Sequence, residues 1–285
     1  MANLKEIRNR ISSVSSTMQI TSAMKMVSAA KLKKAQDAII GMRPYAEKLN
    51  LLLENAMTNL DDHSANKFFE QRPVKTVLVV AITSNRGLCG AFNSNVIKKV
   101  NEISNEHGDK EVVVITIGKK GNDILTKNFE ILSDNSSIFD DLTFENVSQL
   151  TQVLIDKFES GAVDRIQLVY NKFKNAATQI ITKEQFLPIA NYSIEVTTNQ
   201  DYIFEPSARV IIKALIPKFL KAQLFKAIKE SFASEHGARM TAMHKATDNA
   251  TELRDQLKLT YNKARQAAIT NEILEIVGGA EALKN

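Results

Sequence analysis

The 285-residue sequence predicts an α/β protein in which a long antiparallel coiled coil of the N- and C-terminal helices accompanies an open, mostly parallel sheet domain. Three observations predict it. Both ends of the chain read as long polar helices, each with a thin apolar stripe. Between them lie continuous β-branched and apolar runs, the mark of strands covered on both faces. These runs alternate with amphipathic stretches, and the order strand, helix, strand, helix, strand describes an open sheet with helices on both faces.

The first helix places Leu4, Ile7, Ile11, Val14 and Met18 at alternating spacings of three and four, the seam of a coiled coil. Between Thr21 and Lys34 this row is expected to lose register. Met24 and Val27 take it over while Lys25, Lys31, Lys33 and Lys34 crowd the surface. The helix is expected to end near Gly41, because Pro44 lacks the N–H that continuation needs. A second helix, Tyr45 to Leu60, is apolar at Leu49, Leu52, Leu53, Ala56, Met57 and Leu60, and residues 61–66 read as an exposed loop.

Strands are expected at 76–82, 111–117, briefly at 129–132, and at 164–173 and 178–186. Residues 174–177 join the last two as an antiparallel hairpin at the sheet edge. Helices are expected at 93–107, from Gly118 through Lys127, and within 142–160, ended by Gly161. A short helix, 208–216, precedes Pro217, and proline suits the first turn of the long helix that follows. Its roughly 60 residues span about 90 Å at 1.5 Å per residue, and its row Met243, Thr247, Ala250, Leu257, Ala264, Ala268 buries one seam only. The domain reading is therefore 1–60 with 208–285 for the coiled coil, 74–190 for the α/β body and 191–207 for an exposed connection.

Composition narrows the function. The chain has no tryptophan and 6% aromatic residues, which argues against a large aromatic-lined pocket. No apolar run approaches membrane-spanning length, and the N-terminus lacks the apolar stretch of a signal peptide. Its basic, serine-rich character is shared with mitochondrial presequences, but the pattern runs unbroken into Lys31–Lys34 and reads as a helix of the folded protein. The single cysteine, Cys89, excludes an intramolecular disulfide and points to a reducing compartment. Net charge is uneven: residues 1–40 carry seven Lys/Arg against two Asp/Glu, residues 208–285 thirteen against eight, and residues 41–207 seventeen against twenty-two. Basic helices invite nucleic acid, but no aromatics interleave with the lysines for base stacking. An acidic protein surface is the better complement, and no nucleic-acid partner is expected.

Four motifs bear on chemistry. The turn Gly87-Leu88-Cys89-Gly90 follows the first strand and opens a helix, yet its spacing is GxxG rather than GxGxxG, and no P-loop occurs. A structural turn is favoured over nucleotide binding. Cys89 sits where a helix N-terminus lowers a thiol's pKa, but no histidine base can be placed beside it, so a packed cysteine is favoured. His236 and His244 lie eight apart, too far for one metal on a helix. Met18, Met24, Met26, Met240 and Met243 mark a pliable surface on both terminal helices, and Gly237 in the same stretch suggests close helix approach or local compliance. No catalytic, cofactor-binding or metal-binding residue is expected.

Three blocks of residues carry a resemblance. They are Ile20 through Leu32; Thr83-Ser84-Asn85-Arg86-Gly87-Leu88-Cys89-Gly90-Ala91-Phe92-Asn93; and a C-terminal series. That series runs from Ser234-Glu235-His236 through Ala238-Arg239-Met240, Ala246-Thr247-Asp248-Asn249-Ala250 and Tyr261-Asn262-Lys263-Ala264-Arg265-Gln266 to Ile269–Ala280. In order and over nearly the full chain, the sequence resembles the gamma-subunit family of the rotary F-type ATP synthase. The resemblance implies an antiparallel coiled-coil shaft plus a Rossmann-like body. It implies a non-catalytic rotor that couples ion flow to ATP synthesis or hydrolysis at the β subunits and helps regulate ATPase activity and proton flow. Implied partners are the α3β3 ring, the epsilon subunit and the membrane c-ring, at the cytoplasmic face of the bacterial inner membrane. By position, Met24 and Lys25 match the bearing against acidic β loops, and Arg265 and Gln266 match the polar catch. Ile273, Ile276 and Val277 match the tip in an apolar sleeve, and Tyr202, Phe204 and Glu205 the foot near the ring. The chain lacks the cysteine pair inserted in the chloroplast form, so thiol control of rotation is not expected.

Overall fold

The computed structural model describes residues 4–58, 68–108, 110–189, 205 and 207–282. They form two compact units, Met1–Ser28 with Met240–Asn285, and Ala29–Arg239. The long helices α1 (Leu4–Thr58) and α5 (Ala208–Ala282) contribute to both.

The larger unit is built on β1 (Thr76–Ile82), α2 (Phe92–His107), β2 (Glu111–Ile117), α3 (Lys119–Leu125), β3 (Glu130–Asp134), α4 (Phe144–Glu159), β4 (Arg165–Phe173) and β5 (Gln179–Leu187), with a 3₁₀ turn at Ser136–Phe139. The strand order is β3-β2-β1-β4-β5. All neighbours are parallel except the β4–β5 hairpin, so the antiparallel edge lies where the sequence places it.

Burial on both faces explains the unbroken apolar strands. Leu78, Val80 and Ile82 of β1 join one core with Leu154 and Phe158 of α4, Leu49 and Leu53 of α1, and Ile216, Leu220 and Leu224 of α5. Val77, Val79 and Ala81 face Val96, Val100 and Ile103 of α2 in the other. Every β1 residue from Val77 onward is fully buried. Fully burying a side chain of this kind contributes about 1.5–3 kcal/mol, so β1 anchors the sheet.

Two helix boundaries differ from the sequence reading, both at proline. α1 does not stop near Gly41 but continues through Pro44 to Thr58. α5 starts at Ala208 and carries Pro217 in its interior rather than in its first turn. An interior proline costs about 3 kcal/mol. Apolar residues buried on both sides of each, Ile39, Leu49 and Leu53 around Pro44 and Ile212, Ile216, Phe219 and Leu220 around Pro217, outweigh that cost at about 1.5–3 kcal/mol each. Pro44 itself is exposed.

In the smaller unit the two helices run antiparallel, and side-chain contacts give the register. Met18 Sδ accepts from Thr251 Oγ1 at 3.3 Å and Arg254 Nη1 at 3.5 Å. Thr21 and Thr247 share a 2.8 Å hydroxyl bond, and Lys25 Nζ lies 3.4 Å from His244 Nδ1. As one number rises the other falls.

The α1 row keeps its register where the sequence reading has it shift. Ile7, Thr21, Ser28, Leu32, Ala35 and Ile39 are buried, with Leu4, Ile11, Val14, Met18 and Lys25 half-buried between them, an unbroken alternation of three and four. Val27 is exposed and does not replace the row. Thr21 and Ser28 continue it, each satisfying its hydroxyl on a helix carbonyl, Met18 O at 3.1 Å and Met24 O at 2.8 Å.

Candidate functional site

Open parallel sheets bind ligands at the carboxyl ends of their strands, where the strand order reverses. Here that place lies between β1 and β4; across β1 from it, at the end of β2, the chain caps the next helix with its own groups. Residues 83–85 occupy the first N–H donors of α3: Lys119 N donates to Asn85 Oδ1, Lys120 N to Ser84 O and Gly121 N to Thr83 Oγ1, each at 3.0 Å. These are the kind of donors a phosphate requires. From β4, Asn171 Nδ2 donates to Phe92 O at 3.0 Å.

Helix α5 closes the turn from outside. Ala238 packs on Cys89 and Phe92. Arg239 donates from Nη2 to Arg86 O at 2.9 Å and Gly87 O at 3.2 Å, from Nε to Gly87 O at 3.3 Å, and from Nη1 to Glu235 Oε1 at 2.7 Å. Burial pushes the Glu235 carboxyl above its ordinary value and the Arg239 guanidinium opposes the shift. His236, T-stacked on Phe232 at 4.5 Å, is held down to about 3 by burial, with Arg239 and Lys31 adding to the effect. It is therefore neutral at pH 7, with Nε2 buried and unpartnered among the described residues.

Cys89 is 2% exposed, burial raises its thiol pKa, and its polar neighbours are Asn93 Nδ2 at 3.3 Å and Ser84 Oγ at 3.7 Å. That is a packed cysteine, not an activated nucleophile. His244 pairs with Asp248 at 3.3 Å on an exposed face, while His236 is buried; no cluster of three metal-ligating side chains occurs among the described residues. Gly237 marks close approach: an added Cβ would lie 3.1 Å from Ala176 O of the β4–β5 hairpin.

The remaining chemistry is on the helix surfaces. Extending the antiparallel register puts Leu4, the first described residue of α1, opposite residues 264–265 of α5. Beyond that level α5 is exposed from Asn271 through Ala280, including Ile273 at 55%, Leu274 at 63%, Ile276 at 71% and Val277 at 55%. An apolar stretch left in water invites a partner. On α1, Ile20, Met26 and Val27 are each more than half exposed, off the buried row.

Comparison with known proteins agrees with this picture. The ATP synthase family matches residues 3–283. An ATP synthase gamma chain of Flavobacterium psychrophilum is 68% identical over the whole of both chains. The chain belongs to the ATP synthase gamma-chain family. A gamma chain of Cytophaga hutchinsonii is 52% identical, again over the whole of both. The fold resembles that of a chain in the Euglena gracilis mitochondrial ATP synthase rotor, with a TM-score of 0.67 and 23% identity, covering 93% of this chain and 98% of that one. A second Euglena structure, of an OSCP/F1/c-ring assembly, gives a TM-score of 0.69 at 22% identity, covering 98% and 94%.

The residues that the gamma-chain resemblance singles out lie in three settings. Arg265, Gln266, Ile273, Ile276 and Val277 are exposed on α5. Met24 and Lys25 are half-buried in α1, and the exposed apolar surface beside them belongs to Ile20, Met26 and Val27. Glu205 is exposed; Tyr202 and Phe204 lie outside the described residues. Arg239 lies in the C-terminal resemblance block, but the sequence gives no sign of its contact with the turn, whose partners are more than 150 positions away.

Proposed function

We propose that this gamma chain is the central rotor shaft of an ATP synthase, coupling ion flow through a membrane ring to ATP synthesis or hydrolysis at β subunits and helping to regulate ATPase activity and proton flow. Full-length identity of 68% to a curated ATP synthase gamma chain carries the reading, and the antiparallel helix pair supports it. Residues 1–60 and 208–285 serve as the shaft, 74–190 as the body and 191–207 as the foot. The shaft turns inside an α3β3 ring, with Met24 and Lys25 at the bearing and Arg265 and Gln266 at the catch. Ile273, Ile276 and Val277 enter an apolar sleeve. Tyr202, Phe204 and Glu205 meet the epsilon subunit and the c-ring. The chain itself is non-catalytic; nucleotide chemistry belongs to the α and β chains.

Moving one charge across 100 mV releases about 2.3 kcal/mol, so several ions must be summed for each ATP, and a shaft conveys that sum as torque. Among the described residues no helix is long and apolar enough to cross a membrane. Attachment is accordingly peripheral, at the cytoplasmic face of the bacterial inner membrane, and is made through the complex.

The test is purification of the tagged chain from its own host. A stoichiometric α and β set that hydrolyses ATP is expected. Deleting residues 265–285 should uncouple that hydrolysis from ion pumping. Recovery of the chain without nucleotide-binding partners, or full coupling after the deletion, overturns the reading.

A further inference from the structure

The β1–α2 turn is held by more than its own bonds. Leu88 takes φ 61° and Gly90 φ 59°, so two left-handed residues bracket Cys89, and the Leu88 side chain is 64% exposed at the tip. The carbonyls of Arg86 and Gly87 point away from the sheet ladder and are collected by one side chain, that of Arg239. Ser84 Oγ adds a bond to Arg86 O at 2.7 Å. The guanidinium is 8% exposed and fixed at its other edge by Glu235, which is 9% exposed. A planar fork with both edges occupied sets direction as well as distance. It therefore opposes rotation of α5 about its own axis against the turn. Ala238, on the residue before it, fills the space against Cys89 and Phe92, so slippage along the axis is opposed as well.

We infer that Arg239 is a positioning residue for energy coupling: it locks the helix that carries torque to the β1–α2 turn of the body, so that helix and body turn as one. The inference rests on the rotary reading above. A shaft that twists against its own body stores torque instead of delivering it. Elsewhere α5 meets the body through single bonds, Gln223 Nε2 to Glu184 Oε1 at 2.7 Å and Lys229 Nζ to Leu142 O at 3.2 Å, whereas the forked clamp at Arg239 is directional and is lost with a small rotation.

Cys89, the chain's one cysteine, lies beneath the clamp and reports its opening. The purified full-length chain is treated with Ellman's reagent: the Cys89 thiolate attacks the reagent disulfide, forms the mixed disulfide and releases one thionitrobenzoate. Arg239→Ala should react at least ten-fold faster than the parent. Arg239→Lys should not restore protection, since an ammonium cannot form the fork. Because Arg239→Ala strands a buried carboxylate, the double substitution Glu235→Gln with Arg239→Ala removes that charge and should open Cys89 equally. Leu154→Ala, a cavity in the core distant in sequence, controls for general loosening. Reaction of the Arg239 variants no faster than that of Leu154→Ala overturns the clamp.

In the reconstituted complex with α, β and the membrane sector, the same Arg239 variants should pump at least two-fold fewer ions per ATP while hydrolysis persists. An unchanged ratio together with an exposed Cys89 overturns the role in coupling. Should the parent complex pump equally well with the gamma chain omitted, the rotary reading fails, and the Cys89 result still decides the clamp.

Discussion

At the scale of single residues, the buried polar cluster on α5 sets the pH response. His236 has its folded pKa lowered to about 3 by burial, with Arg239 and Lys31 adding to it, whereas in the unfolded chain it titrates near its ordinary value of about 6.5. The unfolded state then binds the extra proton between these values. Stability contributed by the neutral ring is complete above about pH 6.5 and is lost as pH falls toward 3, with a slope of up to about 1.4 kcal/mol per pH unit. Denaturant titrations from pH 7 to 4 should show this slope, and His236→Gln should flatten it; equal slopes in parent and variant would contradict the assignment. Gly118 is the second sensitive residue. Its φ is 113°, and an added Cβ would collide with the Thr83 backbone carbonyl. Neither can give way without moving β1, so Gly118→Ala should cost about 2–4 kcal/mol, read as a lowered unfolding midpoint.

At the scale of elements, the sheet was legible in the sequence and the helix ends were not. β1 and β2 stood out because both of their faces are buried, which leaves no polar residue to interrupt the run. The β4–β5 hairpin was signalled by its short polar connection. Helix limits are not legible in the sequence because proline has a strong local cost, while the burial that offsets it comes from residues distant in sequence. Pro44 is exposed inside α1, so Pro44→Ala should raise stability by about 1–3 kcal/mol in equilibrium denaturation; no gain would mean that α1 breaks there. At Thr21 and Ser28 the seam carries no apolar signal, yet small residues that bond their own helix backbone continue it equally well. Of the candidate interface, the α5 tip was indicated only by the family resemblance, and the structure leaves Ile273, Ile276 and Val277 exposed there. The Arg239 clamp could not, since nothing in a linear pattern links α5 to backbone carbonyls of the turn after β1.

At the scale of the whole molecule, the charge distribution and the exposed helix surfaces fit a chain whose work is done against partners. The terminal segments are basic and the middle is acidic. The carboxyl ends of the strands, where a dinucleotide would sit, are taken up by Thr83, Ser84, Asn85 and Arg239. Exposed apolar residues include Ile20, Met26 and Val27 on α1 and Ile273, Leu274, Ile276 and Val277 at the end of α5, where a partner can cover them. These features describe a mechanical element whose function appears only in its complex. The central claim is rotation, and rotation can be watched. An α3β3 ring is fixed to glass with a gamma chain carrying Lys127→Cys, an exposed body position, and a bead attached at that cysteine is followed while ATP is supplied. The account predicts rotation in one direction, in steps of about a third of a turn set by the threefold ring; a bead that stays still while the same complexes hydrolyse ATP would contradict it.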